Sequence, residues 1–330
     1  MIEKQICMSV KFFLETIPLS IISEMKNLQL TVMDQSVNKE MEKLLAKTVL
    51  VGGKRLRPIM TYLFGDFFSI QLSKITPLAR AIELVHAASL SHDDVVDNAT
   101  TRRGTPSINI VSSNQRAVLA GDYLLADVIV SLSRENDINL IREMSLVIQA
   151  LSDGEWLQLN ASESRKYSRE IIEEIALKKT GSVISWCCVA PAYRYGASAS
   201  VVEYCRELGH NIGIAFQMID DTLDFSDKSQ KDHFLDMENG IINSVIYEWL
   251  QMNPEINEAF KKGKKITDLW TNNKLQEAVE VVRERAAKKL ARANELLEVV
   301  AQEAGLDSAN IAKKMAPLKS MIRFIGERSL

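Results

Sequence analysis

Two acidic runs constrain this chain more than anything else in it: Asp93-Asp94-Val95-Val96-Asp97 and, far downstream, Asp220-Asp221-Thr222-Leu223-Asp224, each of the form D-D-x-x-D and each closing a long apolar stretch. On a helix, residues four apart share a face and lie about 6 Å apart along the axis, so Asp93 stacks over Asp97 and Asp220 over Asp224. A helix C-terminus is the wrong place for such a wall, because the macrodipole is already negative there. Hard cations between the carboxylates, with an anion completing their oxygen shell, would resolve the conflict, and Mg²⁺ with a diphosphate meets that need. A single D-D-x-x-D is usually a solvated helix end. Two copies in apolar flanks are not so easily dismissed.

The rest of the pattern is helical. Apolar residues recur at spacings of three and four, and alternating strand patterns are nearly absent, so the expected class is all-α, with 1–330 as one domain. With 330 residues and 46% hydrophobic content, the chain can bury a large core. Helices are expected over about 3–16, then 20–50 up to Gly52-Gly53, with Pro58 and Pro77 each opening a further one. The helix begun at Pro77 leads into Asp93. After a loop over Ala99–Pro106, further helices are expected over about 116–133, 138–161, 169–190 and 199–225, the last carrying the second acidic run. The polar stretch Ser226–Asn239 reads as a loop able to act as a lid, and helices over about 241–250, 275–303 and 310–326 complete the chain.

Composition narrows the classes of partner. Forty basic against 43 acidic residues leave a net charge of −3, which gives no reason to expect nucleic acid. Cys7, Cys187, Cys188 and Cys205 show no C-x-x-C spacing and read as reduced, which favours a cytoplasmic protein. Lys11 and Glu15 interrupt the N-terminal apolar stretch, so it does not read as a signal peptide. No apolar run approaches the roughly 20 residues that span a bilayer, which leaves peripheral contact as the expected kind.

Basic residues flank the acidic runs at Gly52-Gly53-Lys54-Arg55-Leu56-Arg57-Pro58 and at Thr101-Arg102-Arg103-Gly104. Arginine forks and a lysine point charge together neutralise a diphosphate, although a basic helix start is also an ordinary solvated feature. Taken in order, GGKRLRP, ELVHAASLSHDDVVDNATTRRG and FQMIDDTLDF resemble the trans-polyprenyl diphosphate synthases over nearly the whole chain. That resemblance implies an isoprenoid-synthase helical bundle around a central cavity, Mg²⁺ as cofactor, and elongation of an allylic diphosphate by isopentenyl diphosphate. It implies a homodimer, with a heterodimer as the alternative. By the same resemblance, Lys54, Arg57, His86 and Arg103 would bind isopentenyl diphosphate. Arg102, Lys179, Thr180, Gln217 and Lys231 would bind the allylic diphosphate, beside Phe216. Asp93, Asp94, Asp97 and Asp220 would hold metal, with Asp221 and Asp224 in support, and Asp93, Asp97, Asp220 and Lys179 would be catalytic. His92 reads as a structural neighbour of the carboxylates.

The chain departs from the family after the second acidic run, where SDKSQKDHFLDMENGIINSV lacks the second lysine of the usual pattern and Ile241 stands at its position. This keeps open the reading of a subunit of a two-component synthase with weak activity alone; a terpene cyclase, which would share the fold and the first acidic motif, is disfavoured by the GGKRLRP segment. Product length is read from the helix before Asp93. Ala88 and Ser89 lie about 6 to 7.5 Å below Asp93 and Val85 about 12 Å below, with Ile129 as a deeper floor on a neighbouring helix. None is aromatic, whereas short-chain members of the family often block the first turn with phenylalanine or tyrosine, so the resemblance implies a long product of about C30 to C50, with a geranylgeranyl-length product second. Its lipid nature implies peripheral membrane contact.

Overall fold

The computed structural model describes residues 13–30, 39–225, 240–306 and 308–328. Its helices are α1 (Leu19–Asn27), α2 (Lys39–Lys47), α3 (Leu56–Phe67), α4 (Thr76–Val96), α5 (Ile108–Val111), α6 (Asn114–Ser133), α7 (Ile138–Ser164), α8 (Arg169–Ala176), α9 (Ser182–Tyr195), α10 (Ala199–Leu223), α11 (Ser244–Met252), α12 (Pro254–Lys261), α13 (Ile266–Leu269), α14 (Leu275–Glu303) and α15 (Ser308–Gly326). Among the described residues the strands are a two-residue hairpin, β1 (Thr101–Arg102) antiparallel to β2 (Thr105–Pro106). The class is all-α, as the periodicity indicates.

Several helix starts follow from single residues. Ser113, Ser168, Ser198 and Asn243 each stand just before a helix and accept a backbone N–H three residues on, from Arg116, Ile171, Val201 and Ile246. Each satisfies one of the donors a helix N-terminus leaves orphaned. Pro77 opens α4 as expected, because its missing N–H costs nothing in a first turn.

Two expected helices differ. The stretch 20–50 is not one helix: α1 ends at Asn27, Leu28 turns extended, and α2 starts at Lys39. In α1 only Ile21 is buried, too thin an apolar stripe to carry the helix past a weak helix former such as Asn27. The stretch 169–190 is broken by a π-helical turn over Leu177–Gly181 before α9 continues to Tyr195. The expected first helix is described only over 13–16, which are helical, and the expected lid Ser226–Asn239 lies outside the described residues.

The chain divides into two compact units. One comprises Pro18–Ile148 and Trp186–Ala197; the other comprises Met1–Ile17, Gln149–Ser185 and Ser198–Leu330. In the first, α4 is the central element. It buries Leu78, Ala79, Ala81, Ile82, Leu84, Val85, Ala87 and Ala88, together with the charged Arg80, Glu83 and Asp94. It packs on α6 and α3. The buried Arg80 bonds Asp127 Oδ2 at 2.9 Å and Ser131 Oγ at 3.2 Å on α6, and Trp186 Nε1 donates to the Leu78 carbonyl. A Cβ on Gly65 would lie 2.5 Å from Ile75 Cγ1, so α3 approaches that turn only because position 65 is bare.

In the second unit α10 packs along α14. Where α10 crosses the π turn, two glycines meet, and a Cβ on Gly213 would lie 2.5 Å from Gly181 Cα. The buried Glu248 on α11 accepts Arg169 on both oxygens at 2.9 Å and also Arg285, tying α8, α11 and α14 together. Phe13 stacks on Phe324 with centroids 5.2 Å apart.

The Arg80–Asp127 pair supports a first prediction. Asp127→Ala leaves the Arg80 guanidinium buried without its counter-ion, and losing one partner of a buried pair costs about 3 to 5 kcal/mol. The variant is expected to melt several degrees below wild type by differential scanning calorimetry. An unchanged melting temperature would show that the pair does not hold α4 against α6.

Candidate active site

The first acidic run lies where α4 ends. Asp93 is half-buried and Asp97 exposed, and the Asp97 N–H bonds the Asp93 carbonyl at 2.8 Å to close the helix. Asp94 is fully buried. Its Oδ1 lies 2.6 Å from Arg102 Nε and from Arg102 Nη2, while Oδ2 accepts the Ile108 N–H at 3.3 Å. Its carboxylate ties the β1–β2 hairpin and the start of α5 to the end of α4. Arg102, expected on the allylic diphosphate, has its guanidinium against that carboxylate. His92 lies 3.2 Å from the Val118 carbonyl and 3.3 Å from Asp122, and only a bare Gly121 lets its ring in.

The basic segments converge within the same unit. Gly52 and Gly53 have φ of +73° and +82°, open to glycine. A Cβ on Gly53 would lie 3.0 Å from the Arg103 guanidinium, which also donates to the Val51 carbonyl at 2.9 Å. Thus the glycine pair does more than end a helix: it makes room for Arg103. Arg55, left-handed at φ 50°, bonds the buried Glu83 at 2.5 Å and the Leu50 carbonyl, and so fixes the loop. Lys54 is exposed. His86 is held well below its ordinary pKa, first by burial, then by Arg57, Arg103, Arg102 and Arg55. Its ring is therefore neutral at physiological pH.

The second run belongs to the other unit and repeats the plan. Asp221 is buried, accepting Ser244 N–H at 2.9 Å, Ser244 Oγ at 2.6 Å and Gln217 Nε2 at 2.9 Å. Burial pushes its pKa up to about 6 against those bonds. Gln217 Oε1 accepts Thr180 Oγ1 at 2.9 Å, so Thr180, Gln217, Asp221 and Ser244 form one chain from the π turn to α11. Lys179 meets Glu155 at 2.5 Å and Gln158 at 3.2 Å on α7. Asp220 is half-exposed and pairs with Arg328 at 3.1 Å.

Of the expected chain-length residues, Val85 and Ala88 are fully buried on α4, and Ser89 bonds its own helix at the His86 carbonyl. Ile129 is half-buried on α6. Lys231 lies outside the described residues. Sequence reasoning missed Glu155, Gln158, Ser244 and Arg328. The E-x-x-Q spacing on α7, which puts two side chains on one face, was a usable signal for the first pair. Nothing local marked the other two.

The donor chemistry suits a hard divalent cation. Two carboxylates of the first run, Asp93 and Asp97, lie outside the sealed core, and a cation already sits on Asp220. Mg²⁺ is commonly held by one or two carboxylates plus phosphate oxygens rather than by an all-protein cage. Among the described residues no three of His, Cys, Asp and Glu form such a cage.

Asp221 and His86 predict opposite pH slopes. A carboxyl raised from 3.8 to about 6 contributes stability that is full below 3.8 and lost as pH rises through about 6. A histidine lowered from 6.5 contributes stability that is full above 6.5 and lost as pH falls through its folded value. In metal-free buffer, the melting temperature of wild type relative to Asp221→Asn should rise on acidification from pH 7 to 4, and relative to His86→Gln should fall. Parallel pH curves for the three proteins would refute both environments.

The profile of the family described as Polyprenyl synthetase matches residues 38–284. A mitochondrial solanesyl-diphosphate synthase 1 of Oryza sativa subsp. japonica is 33% identical over 231 residues, 64% of this chain and 54% of that protein. A human all trans-polyprenyl-diphosphate synthase is 35% identical over 215 residues, 62% of this chain and 52% of that protein. The chain thus spans about half the length of these curated relatives. A decaprenyl diphosphate synthase from Rhodobacter capsulatus shares the fold at a TM-score of 0.77, with 23% identity and 99% of each chain covered. A polyprenyl synthase from Caulobacter crescentus, solved with calcium and isoprenyl diphosphate, does so at 0.75, with 24% identity and 94% of this chain and 95% of that one covered. With three quarters of its length under the family profile and both acidic runs inside that match, this chain belongs to the polyprenyl synthetase family.

Proposed function

We propose that this protein is a prenyltransferase that condenses isopentenyl diphosphate with an allylic diphosphate to make a long trans-polyprenyl diphosphate. The observation that carries the reading is the half-buried His86, two helical turns before Asp93 on the same face of α4, where Arg57, Arg103, Arg102 and Arg55 lie near enough to disfavour a charge on its ring. A pocket of guanidinium groups around an uncharged ring donor is suited to a diphosphate, and carboxylates two turns on are suited to a cation. The names of the relatives, solanesyl and all-trans-polyprenyl synthases, support the long product.

Asp93 and Asp97, and in the other unit Asp220, are the carboxylates assigned to divalent metal, with Mg²⁺ the ion expected. The ion, when bound, supplies charge stabilisation for the diphosphate leaving group. Arg57, His86, Lys54 and Arg103 bind and orient isopentenyl diphosphate so that its double bond reaches the allylic carbon, and orientation of this kind contributes much of the rate. Lys179, positioned by Glu155 and Gln158, offers its ammonium to the allylic diphosphate. Thr180, Gln217 and Asp221 hold the π turn against α10 at that end. Ser244 adds two hydrogen bonds to Asp221 at that end.

A second copy of this chain is the proposed partner. Val118, Leu119 and Val130 are exposed on α6, an apolar face that a subunit would cover, and a two-component enzyme is the alternative. Among the described residues no helix is long and apolar enough to cross a membrane, so contact of the lipid product with a bilayer would be peripheral. A cytoplasmic location belongs to the same proposal, supported by the burial of Cys187, Cys188 and Cys205.

Incubation of the purified chain with Mg²⁺, isopentenyl diphosphate and allylic primers of several lengths should give products in the hexaprenyl to decaprenyl range by mass spectrometry. Asp93→Ala and Asp220→Ala should abolish turnover with the fold retained by circular dichroism. Absence of elongation by the wild type, or turnover in either variant, would overturn the reading.

Ala88 tests product length. The position is fully buried, so Ala88→Phe adds bulk inside the unit at a stability cost of about 1 to 3 kcal/mol. Products should shorten towards the farnesyl length while turnover persists. An unchanged product distribution in a folded, active variant would place the floor elsewhere.

A further inference from the structure

Arg328, at the end of the described chain, lies on the second acidic run. Its Nη2 is 3.1 Å from Asp220 Oδ1, and its guanidinium carbon is 4.6 Å from the centre of the Phe216 ring. Phe216 and Asp220 are one turn apart on a single face of α10, so the guanidinium spans that turn, stacked at one end and ion-paired at the other. The Arg328 side chain is 17% exposed, whereas Asp220 is 46% exposed. Arg328 Nη1 is buried and meets no hydrogen-bond acceptor among the described residues. A guanidinium serving only to staple α15 to α10 would have both of its forks satisfied, since an unmet buried donor is costly. This one has a donor to spare beside a carboxylate assigned to metal.

We infer that Arg328 is a positioning residue that couples the loading of metal and diphosphate at the second acidic run. The inference rests on the reading of Asp220 as a metal carboxylate. Without an ion, the guanidinium neutralises Asp220 and holds it against the Phe216 face. A divalent cation arriving alone must compete with this resident charge, so it binds weakly. A diphosphate arriving with the cation gives Arg328 a second anion, reached through its unmet Nη1–H, and the competition is relieved. The device disfavours an ion bound without substrate and favours the two together.

Direct Mn²⁺ titration by calorimetry and by electron paramagnetic resonance tests this, with and without inorganic diphosphate, on the full chain. Asp220→Asn identifies the part of the titration that belongs to the second run. In the wild type, diphosphate should tighten Mn²⁺ at that site. In Arg328→Gln, Mn²⁺ alone should bind roughly fivefold more tightly, the scale of a partly exposed ion pair, and the tightening by diphosphate should shrink. Arg328→Lys, which keeps the charge, should return both values towards wild type and guards against a folding defect in the glutamine variant. Mn²⁺ affinity without diphosphate that is unchanged or weaker in a folded Arg328→Gln would overturn the inference. A wild type that binds no Mn²⁺ at the Asp220 site, with or without diphosphate, would instead overturn the assignment of that site to metal.

Discussion

The sealed middle aspartate of each acidic run is the constraint on which the site geometry depends. Asp94 and Asp221 are the second residues of their motifs, both buried and both bonded to the segment that follows their helix: Arg102 and the Ile108 N–H for one, Ser244 for the other. Successive residues of a helix point about 100° apart, so pinning the middle residue inward fixes the directions of its neighbours. Asp93 and Asp97, and likewise Asp220 and Asp224, are thereby turned to an adjacent face as a stacked pair. A buried carboxylate without these bonds would be costly, and the burial that raises Asp221 to about 6 shows how much of that cost persists.

Charge near the site is handled by short, local pairs. Arg55 meets Glu83, Arg102 meets Asp94, Lys179 meets Glu155 and Arg328 meets Asp220. Each pair holds a long side chain in one orientation before any substrate arrives, which reduces the ordering cost of binding. The neutral His86 fits the same logic. Desolvation first, and then the nearby arginines, make a second proton unfavourable, so the ring remains a neutral hydrogen-bonding group.

Glycines supply the close approaches that these pairs require. Gly53 admits the Arg103 guanidinium, Gly121 admits His92, and Gly213 lets α10 reach the π turn that carries Lys179 and Thr180. The π turn itself is an inserted bulge in an otherwise α-helical run, a device that re-aims side chains near functional sites.

The linear sequence by itself determined the helical class, the starts of α4, α6, α8 and α10, and the identity of the acidic and basic segments, because apolar period, caps and charge are local properties. It also carried the family, through motifs whose order is preserved. Only the tertiary structure decided which aspartate of each run is buried, since D-D-x-x-D reads the same whichever carboxylate faces inward. Burial is set by what packs over the helix end: the β1–β2 hairpin in one case and α11 in the other. The break between α1 and α2 and the π turn were equally illegible, because both depend on how little or how closely a neighbouring element covers the helix. Ser244 and Arg328 stand far along the chain from the aspartates they touch, and no local pattern encodes such contacts. They exist because folding brings distant helix ends together, where desolvation and charge select the partner.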